Sequence, residues 1–476
     1  MAEKERHTSR CLLCSLGCGF VIETAFDEAV GLEYDVDDPV GGGSLCSKGN
    51  YALELINHPM RLWEPREGDA SVSWKTVLDA IAVRLTDYVG TQSVGLVLEG
   101  DASDEDVITA QFFAGKCLGN DRVAVNFPTG DDLVYRALAS TAFGNRTAVP
   151  KDITAAACIV AVGDPFEIAP VIAGNTLAAK YGGRRNMLAV VSDGINRTSK
   201  FATHRLFGPV RKSLAGILRA VADKSGDTSA EWLKVVRETY PADDDPSVTA
   251  IAKAFTETPS AVLILETQDP VAARLAQAIA AAAGGKGLFR VATYGNAGGI
   301  CDVFNGEDTV DNIVEAVENG SLKALFVLGA DIVRSNPGRD VKKALKKLDF
   351  FVAGAPFENR TTAEAGIVLP TALWLESEGT YNGALLNPVI EPPGGALSYG
   401  EILRRLTTKM GYDIQIDSRK QAIEREEPTG ALMRELLEEA GSEPAAQSVR
   451  STVIDYADGS VTDNMQWVQM QGREPW

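Results

Sequence analysis

The sequence predicts an α/β protein in which a small cysteine-bearing module precedes parallel sheets. Two observations predict it. Short apolar runs recur between residues 93 and 370 with helical patterns between them. Strands alternating with helices build parallel sheets covered by crossover helices. Ahead of that alternation, Cys11, Cys14, Cys18 and Cys46 stand as Cys-x2-Cys-x3-Cys-x27-Cys within the first 50 residues.

The cysteine module occupies residues 1–66 and closes in a short helical run, NYALELINHPMRL, stopped at His58–Pro59. Three thiolates in one tight loop and a fourth returning from a distance suit a cubane [4Fe–4S] cluster, which takes one thiolate per iron. Glycines at 17, 19 and 41–43 let the backbone approach such a centre closely. A structural zinc site is the competing reading, but it normally uses two close cysteine pairs, and the second pair is missing. A disulfide framework fits poorly with 7 cysteines in 476 residues and no secretory signal.

Beyond the module, residues 76–89 place Val77, Leu78, Ile81 and Leu85 on one helical face. SVGLVLEG (93–100) reads as a buried strand, EDVITAQFFAGKCLG (105–119) as a helix ending at glycine, and RVAVNF (122–127) as a strand. Seven more strand-like runs begin at 158, 187, 261, 288, 324, 350 and 365. Asp269–Pro270 opens an alanine-rich helix as a cap followed by proline. Parallel sheets bind ligands at the carboxyl ends of their strands; here those ends read Gly163-Asp164-Pro165, Ser192-Asp193-Gly194 and Gly329-Ala330-Asp331. Residues 227–248 read as an acidic surface connection, and 429–441 as one amphipathic helix in a polar C-terminal tail.

The net charge of −19 argues against nucleic acid or an anionic membrane as the main partner, since both demand positive surface. There is no run of 18 apolar residues to insert in a membrane, and MAEKERHTSR, ahead of Cys11, holds neither an apolar h-region nor twin arginines. A cytoplasmic location is expected. With only His7, His58 and His204, hydrolase chemistry lacks its usual base. His58 reads as a helix terminus and His204 as part of a helical run. Cys117, Cys158 and Cys301 read as buried thiols.

The four cysteines continue into Leu45-Cys46-Ser47-Lys48-Gly49 and Asn57-His58-Pro59-Met60-Arg61-Leu62. This resembles the iron–sulfur opening of the molybdopterin oxidoreductase family, to which formate dehydrogenases and the large iron–sulfur subunit of respiratory NADH dehydrogenase belong. Weaker matches follow in family order to about residue 410: Gly163-Asp164-Pro165, Val191-Ser192-Asp193, Ala363 to Pro370, and Glu376 to Asn382. The resemblance implies two Rossmann-like parallel-sheet domains after the [4Fe–4S] domain, one inserted in the other. The first takes 67–134 plus 290–375, the inserted one 135–289; a return segment, 376–410, packs toward the cysteine module, and 411–476 form a tail. It also implies that Lys48 lies against the cluster, where its charge favours the reduced form.

Departures from the family pattern shape the expected function. Active members place a cysteine, selenocysteine, serine or aspartate on molybdenum or tungsten after the second strand of the first α/β domain. The matching stretch, Arg122 to Leu133, offers no cysteine, and its Asp131 and Asp132 read as a helix cap. Asp164-Pro165 and Ser192-Asp193-Gly194 replace the Asn-Pro and Asp-Pro-Arg that hold the pterin nucleotide. Ala384-Leu385-Leu386-Asn387 replaces Gly-Arg-x-Gln, and the chain ends before the family's cap domain. Tyr294 to Gly299 reads as a plain turn after a strand. The expectation is an electron-transfer subunit of a heteromeric complex with iron–sulfur, flavin or NAD-binding partners. One alternative is a catalytic subunit carrying molybdopterin guanine dinucleotide with molybdenum or tungsten, capped by another chain and of formate or formylmethanofuran dehydrogenase type. Another is a structural subunit stapled by its cluster.

Overall fold

The computed structural model describes residues 4–138, 146–225, 231–241, 245–304 and 306–412; the amphipathic helix expected at 429–441 lies outside them. The chain opens with an antiparallel sheet of β1 (Glu5–Arg10), β2 (Gly19–Ala25) and β3 (Glu28–Tyr34), in the order β1-β2-β3. Phe20 and Ile22 of β2 are fully buried against Leu55, Leu375 and Leu386, so this small sheet borrows its core from distant parts of the chain. Two short helices, Ser47–Asn50 and Ala52–Ile56, complete the module.

Next come β4 (Arg66–Glu67), β5 (Ala70–Ser71), the helix Trp74–Leu85, β6 (Val94–Glu99), the helix Asp104–Phe112 with a π-helical turn over Phe113–Leu118, and β7 (Val123–Asn126). The strands β8 (Cys158–Val162), β9 (Met187–Ser192), β10 (His204–Phe207), β11 (Ala261–Glu266) and β12 (Gly287–Val291) then form a parallel sheet in the order β10-β9-β8-β11-β12. The chain afterwards returns to the earlier sheet with β13 (Ala324–Leu328), β14 (Phe350–Ala355) and β15 (Ile367–Pro370), giving the order β5-β4-β15-β14-β13-β6-β7. A hairpin, β16 (Gly379–Tyr381) with β17 (Ala384–Leu386), and the helix Tyr399–Lys409 follow. β8, β9 and β13 are buried along their whole length. Their continuous apolar runs are what a strand covered on both faces requires.

Three local expectations change. His204 stands in edge strand β10, not in a helix, because its neighbours pair in register with Ala189 to Ser192. The supposed acidic connection at 227–248 contains the helix Glu231–Thr239 and the start of the helix Pro246–Glu257; Leu233 and Val236 of the first and Val248 of the second are buried. The break expected between 289 and 290 falls inside β12, whose pairing with β11 runs on to Val291. Among the described residues no helix is long and apolar enough to cross a membrane.

Candidate iron–sulfur centre

Cys11, Cys14, Cys18 and Cys46 line one cavity, together with Leu16, Leu45 and Gly49 and, from the five-stranded unit, Ala169, Pro170 and Val171. The cysteine loop is seated at the carboxyl end of β12. Ser15 N donates to Ala292 O (3.0 Å), Ala292 N donates to Ser15 Oγ (2.8 Å), and Gly295 N donates to Leu12 O (3.0 Å). Cys11 N closes the loop on Cys18 O at 2.9 Å. Asp38 fastens the returning segment: its carboxylate accepts from Gly19 N at 2.9 Å and Gly41 N at 2.6 Å. Asn50 Nδ2 holds the Leu45 and Cys46 carbonyls at 3.3 and 3.0 Å. Gly49 faces the cavity, and a Cβ there would stand 3.6 Å from the Cys11 sulfur.

Burial, reinforced by repulsion from Cys14, raises Cys11 far above the ordinary thiol range. Burial raises Cys14 as well, opposed most strongly by the Lys48 charge. Burial, with Cys14 next, pushes Cys18 up to about 12. Among the described residues, no three cysteine, histidine or acidic side chains converge tightly enough for a single metal ion. Four thiols spread around one cavity fit a multi-iron cluster, whose charge would replace the protons the buried sulfurs otherwise keep.

Lys48 is half-buried, and its ammonium is engaged by the fold. Nζ donates to Leu13 O at 2.7 Å and to Ile168 O at 3.0 Å, tying the cysteine loop to the segment after β8.

The residues expected near a pterin have partners of their own. Asp131, buried in the helix Asp131–Leu138, pairs with Arg290 at 3.0 Å and accepts from Thr129 Oγ1 (2.9 Å) and Thr293 N (3.1 Å). It fastens the end of β12, a different role from the expected helix cap. Asp164 accepts from Arg197 N, Thr198 N and Thr198 Oγ1 at 2.9, 3.0 and 2.6 Å, while its own N–H donates to Glu266. Gly163 has φ +77°, and a Cβ there would stand 2.2 Å from Glu266 O. Burial raises Glu266 to about 7. Cys117, Cys158 and Cys301 are buried. His58 is buried too, with Nδ1 accepting from Met60 N at 3.1 Å.

Sequence reasoning missed the importance of Tyr294 to Gly299. A Cβ at Gly295 would lie 2.5 Å from Leu12 O, and one at Gly298 would lie 2.7 Å from Asn382 Oδ1. Asn382, at φ +48° in the β16–β17 turn, receives Gly299 N (2.8 Å) on Oδ1, donates from its backbone to Asn296 Oδ1 (2.6 Å), and donates from Nδ2 to Gly295 O. Four acids at the opening of the helix Asp104–Phe112 were also missed. Glu105 accepts from Thr380 N and Oγ1 (2.8 and 2.7 Å), Asp106 from Gly400 N (2.5 Å), Asp104 from Asn296 Nδ2 (2.9 Å), and Asp101 from Tyr399 Oη (3.1 Å). Burial raises Asp101 and Asp104 to about 6. The signal available was the run Asp101 to Asp106 after a strand, a helix start rich in acid.

Four cysteine thiols thus meet in one cavity beside the carboxyl end of a parallel-sheet strand, an arrangement suited to an iron–sulfur centre. The chain belongs to the molybdopterin oxidoreductase family: the family model "Molybdopterin oxidoreductase" matches residues 59–409, and "Molybdopterin oxidoreductase Fe4S4 domain" matches residues 4–58. It is similar to the F420-dependent formate dehydrogenase subunit alpha of Methanocaldococcus jannaschii, 26% identical over 474 residues, covering 84% of this chain and 70% of the relative. It is also similar to the NADPH-Fe(3+) oxidoreductase subunit alpha of Geobacter sulfurreducens, 23% identical over 480 residues, spanning 86% of this chain and 56% of that protein. Acetylene hydratase from Pelobacter acetylenicus shares the fold, with a TM-score of 0.65 at 16% identity, over 85% of this chain and 69% of that one.

Proposed function

We propose that this chain is an electron-transfer subunit of a heteromeric, cytoplasmic oxidoreductase. Cys11, Cys14, Cys18 and Cys46 each ligate one iron of a [4Fe–4S] cluster that is its functional centre. The two α/β units serve as its scaffold: 67–134 with the chain after 291, and the inserted stretch up to 291. The observation that carries this reading is a contrast: four thiols share one cavity, while the groups that would face a pterin are already held by the protein. Asp131 is committed to Arg290 and the β12 end, so it is not free to ligate a metal. Asp164 caps the turn at Thr198–Phe201. Their engagement within the protein supports the reading without a bound pterin.

A [4Fe–4S] cluster supplies one-electron chemistry. The chain's contribution is burial of the thiolates, backbone held close around them, and Lys48 as the nearby positive charge that favours the more negative, reduced state. The partners are other redox subunits. Replacing Cys46 by serine in the native complex should abolish electron passage between the neighbouring subunits and leave chemistry at a distant catalytic subunit intact with an artificial acceptor. Normal overall electron transfer with the cluster lost would contradict the proposal.

A further inference from the structure

In a chain of net charge −19, residues 180–212 carry eight lysines and arginines against one acid, Asp193. The fold gathers part of this stretch into one patch beside edge strand β10. Lys180, at the end of the helix Ile172–Tyr181, lies 4.9 Å from the Tyr181 ring and donates to Phe201 O. Arg205 of β10 donates from Nε to Ser199 O at 2.7 Å, so it borders the same turn as Lys200. Arg184 and Arg185 follow Tyr181 in the exposed turn into β9. Within the patch Tyr181 is 68% exposed and Phe201 38% exposed. Of the patch cations Lys180, Arg184, Arg185, Lys200 and Arg205, none is ion-paired to a carboxylate among the described residues; Arg197, nearby, is paired with Glu167.

One side of this surface, at Phe201, connects to the apolar core that reaches the thiols. The Phe201 ring stands 6.1 Å from that of Phe166. Phe166 is buried in the same apolar core as Cys14, Cys18, Ala169 and Ala202, and Ala169 to Val171 form one wall of the thiol cavity. Phe166 thus joins the exposed Phe201 edge to the apolar core that includes Ala169, Cys14 and Cys18.

We propose that this patch is the docking surface for an acidic electron-carrier protein that exchanges one electron with the cluster, an inference that rests on the electron-transfer reading above. Charge complementarity selects the partner: isolated positive charge on an acidic molecule orients an acidic protein, and the rest of the surface repels it in other poses. The exposed aromatics supply the apolar contact such an encounter needs. A nucleic acid, long enough to meet the surrounding acidic surface, is disfavoured. In the productive step, the reduced carrier gives one electron to the oxidised cluster and leaves oxidised; no bond is made or broken.

The test uses full-length protein with its cluster assembled, and a small acidic two-iron ferredoxin, reduced beforehand, as the probe. Stopped-flow traces should show a second-order rate that falls as salt rises. Arg185→Glu combined with Lys200→Glu should lower that rate at least tenfold at low salt and flatten its salt dependence. Reduction by dithionite alone, the iron content and the cluster's EPR signal should stay as in the wild type. The milder pair Arg185→Gln with Lys200→Gln should give an intermediate loss, and Lys116→Glu with Lys323→Glu, remote in sequence, should leave the rate within about threefold. An unchanged rate in the first pair, no reduction of wild type by the ferredoxin at low salt, or tight binding of a DNA duplex at physiological salt that the first pair abolishes, would each overturn the proposal. Failure of the electron-transfer reading is separately visible, as molybdenum, tungsten or pterin in the purified protein.

Discussion

Arg61→Met should strongly destabilise the protein, because it strands a buried carboxylate at the joint between the cysteine module and the returning chain. Arg61 Nη1 and Nη2 reach Glu376 Oε1 and Oε2 at 2.5 and 2.7 Å, with the two side chains 1% and 0% exposed. The pair joins the end of the module to the segment ahead of the β16–β17 hairpin, 315 residues away in sequence. Glu376 also accepts from Leu373 N at 2.8 Å, and the Arg61 guanidinium lies 5.6 Å from the Phe357 ring centre. Methionine keeps most of the bulk but leaves the carboxylate without its counter-ion, which costs about 3–5 kcal/mol. At roughly 2–4 °C per kcal/mol for a unit of 150–250 residues, the midpoint of thermal unfolding should fall by about 6–20 °C. Both near-ultraviolet circular dichroism and loss of cluster absorbance should report that fall. Arg61→Met combined with Glu376→Leu removes both charges and should recover much of the loss, since a buried pair and an apolar pair of similar volume differ little in stability. A midpoint within about 1 °C of wild type for Arg61→Met, or a double variant losing the sum of the two single losses, would refute this reasoning.

Three further outcomes follow from the site. Burial holds Glu266 at about 7 when folded against an ordinary 4.5, so the unfolded chain binds fewer protons between those values and stability falls as pH rises through that window. Glu266→Gln should therefore stabilise by up to about 3 kcal/mol at pH 8 and leave pH 4 stability nearly unchanged, as measured by urea unfolding at both values. Gly295→Ala would force its Cβ against the Leu12 backbone, so iron content after reconstitution should drop while the far-ultraviolet spectrum stays close to wild type. Lys48→Met removes the charge held between Leu13 O and Ile168 O, and the cluster's midpoint potential should become more negative by roughly tens of millivolts in an EPR-monitored titration.

Much of the fold was legible because its strands are buried on both faces. CIVAV, MLAVVS and ALFVL leave no polar position in their interiors, and such runs bounded by glycine or aspartate have few other structures open to them. β1 escaped notice because ERHTSR is largely polar and exposed, and its partner β2 finds its core only when residues 373–389 return. His204 was misplaced because a four-residue edge strand carries too short a pattern to tell from a helix. The four cysteines could be read as a set because thiolate count and spacing are chemical requirements. The partners of Asp131, Asp164 and Arg61 could not be read, because Arg290, Thr198 and Glu376 reach them only through the fold. The glycines at 295, 298 and 299 looked like an ordinary turn, since what they make room for, the Leu12 backbone and Asn382, lies far away in sequence.

The most direct test of the central claim is elemental and pterin analysis of the purified full-length chain within its native complex. About four irons assignable to this subunit are expected, lost together when Cys46 is replaced by serine, with molybdenum, tungsten and pterin all absent from it. Stoichiometric molybdenum or tungsten with a pterin bound to this chain would contradict the electron-transfer assignment.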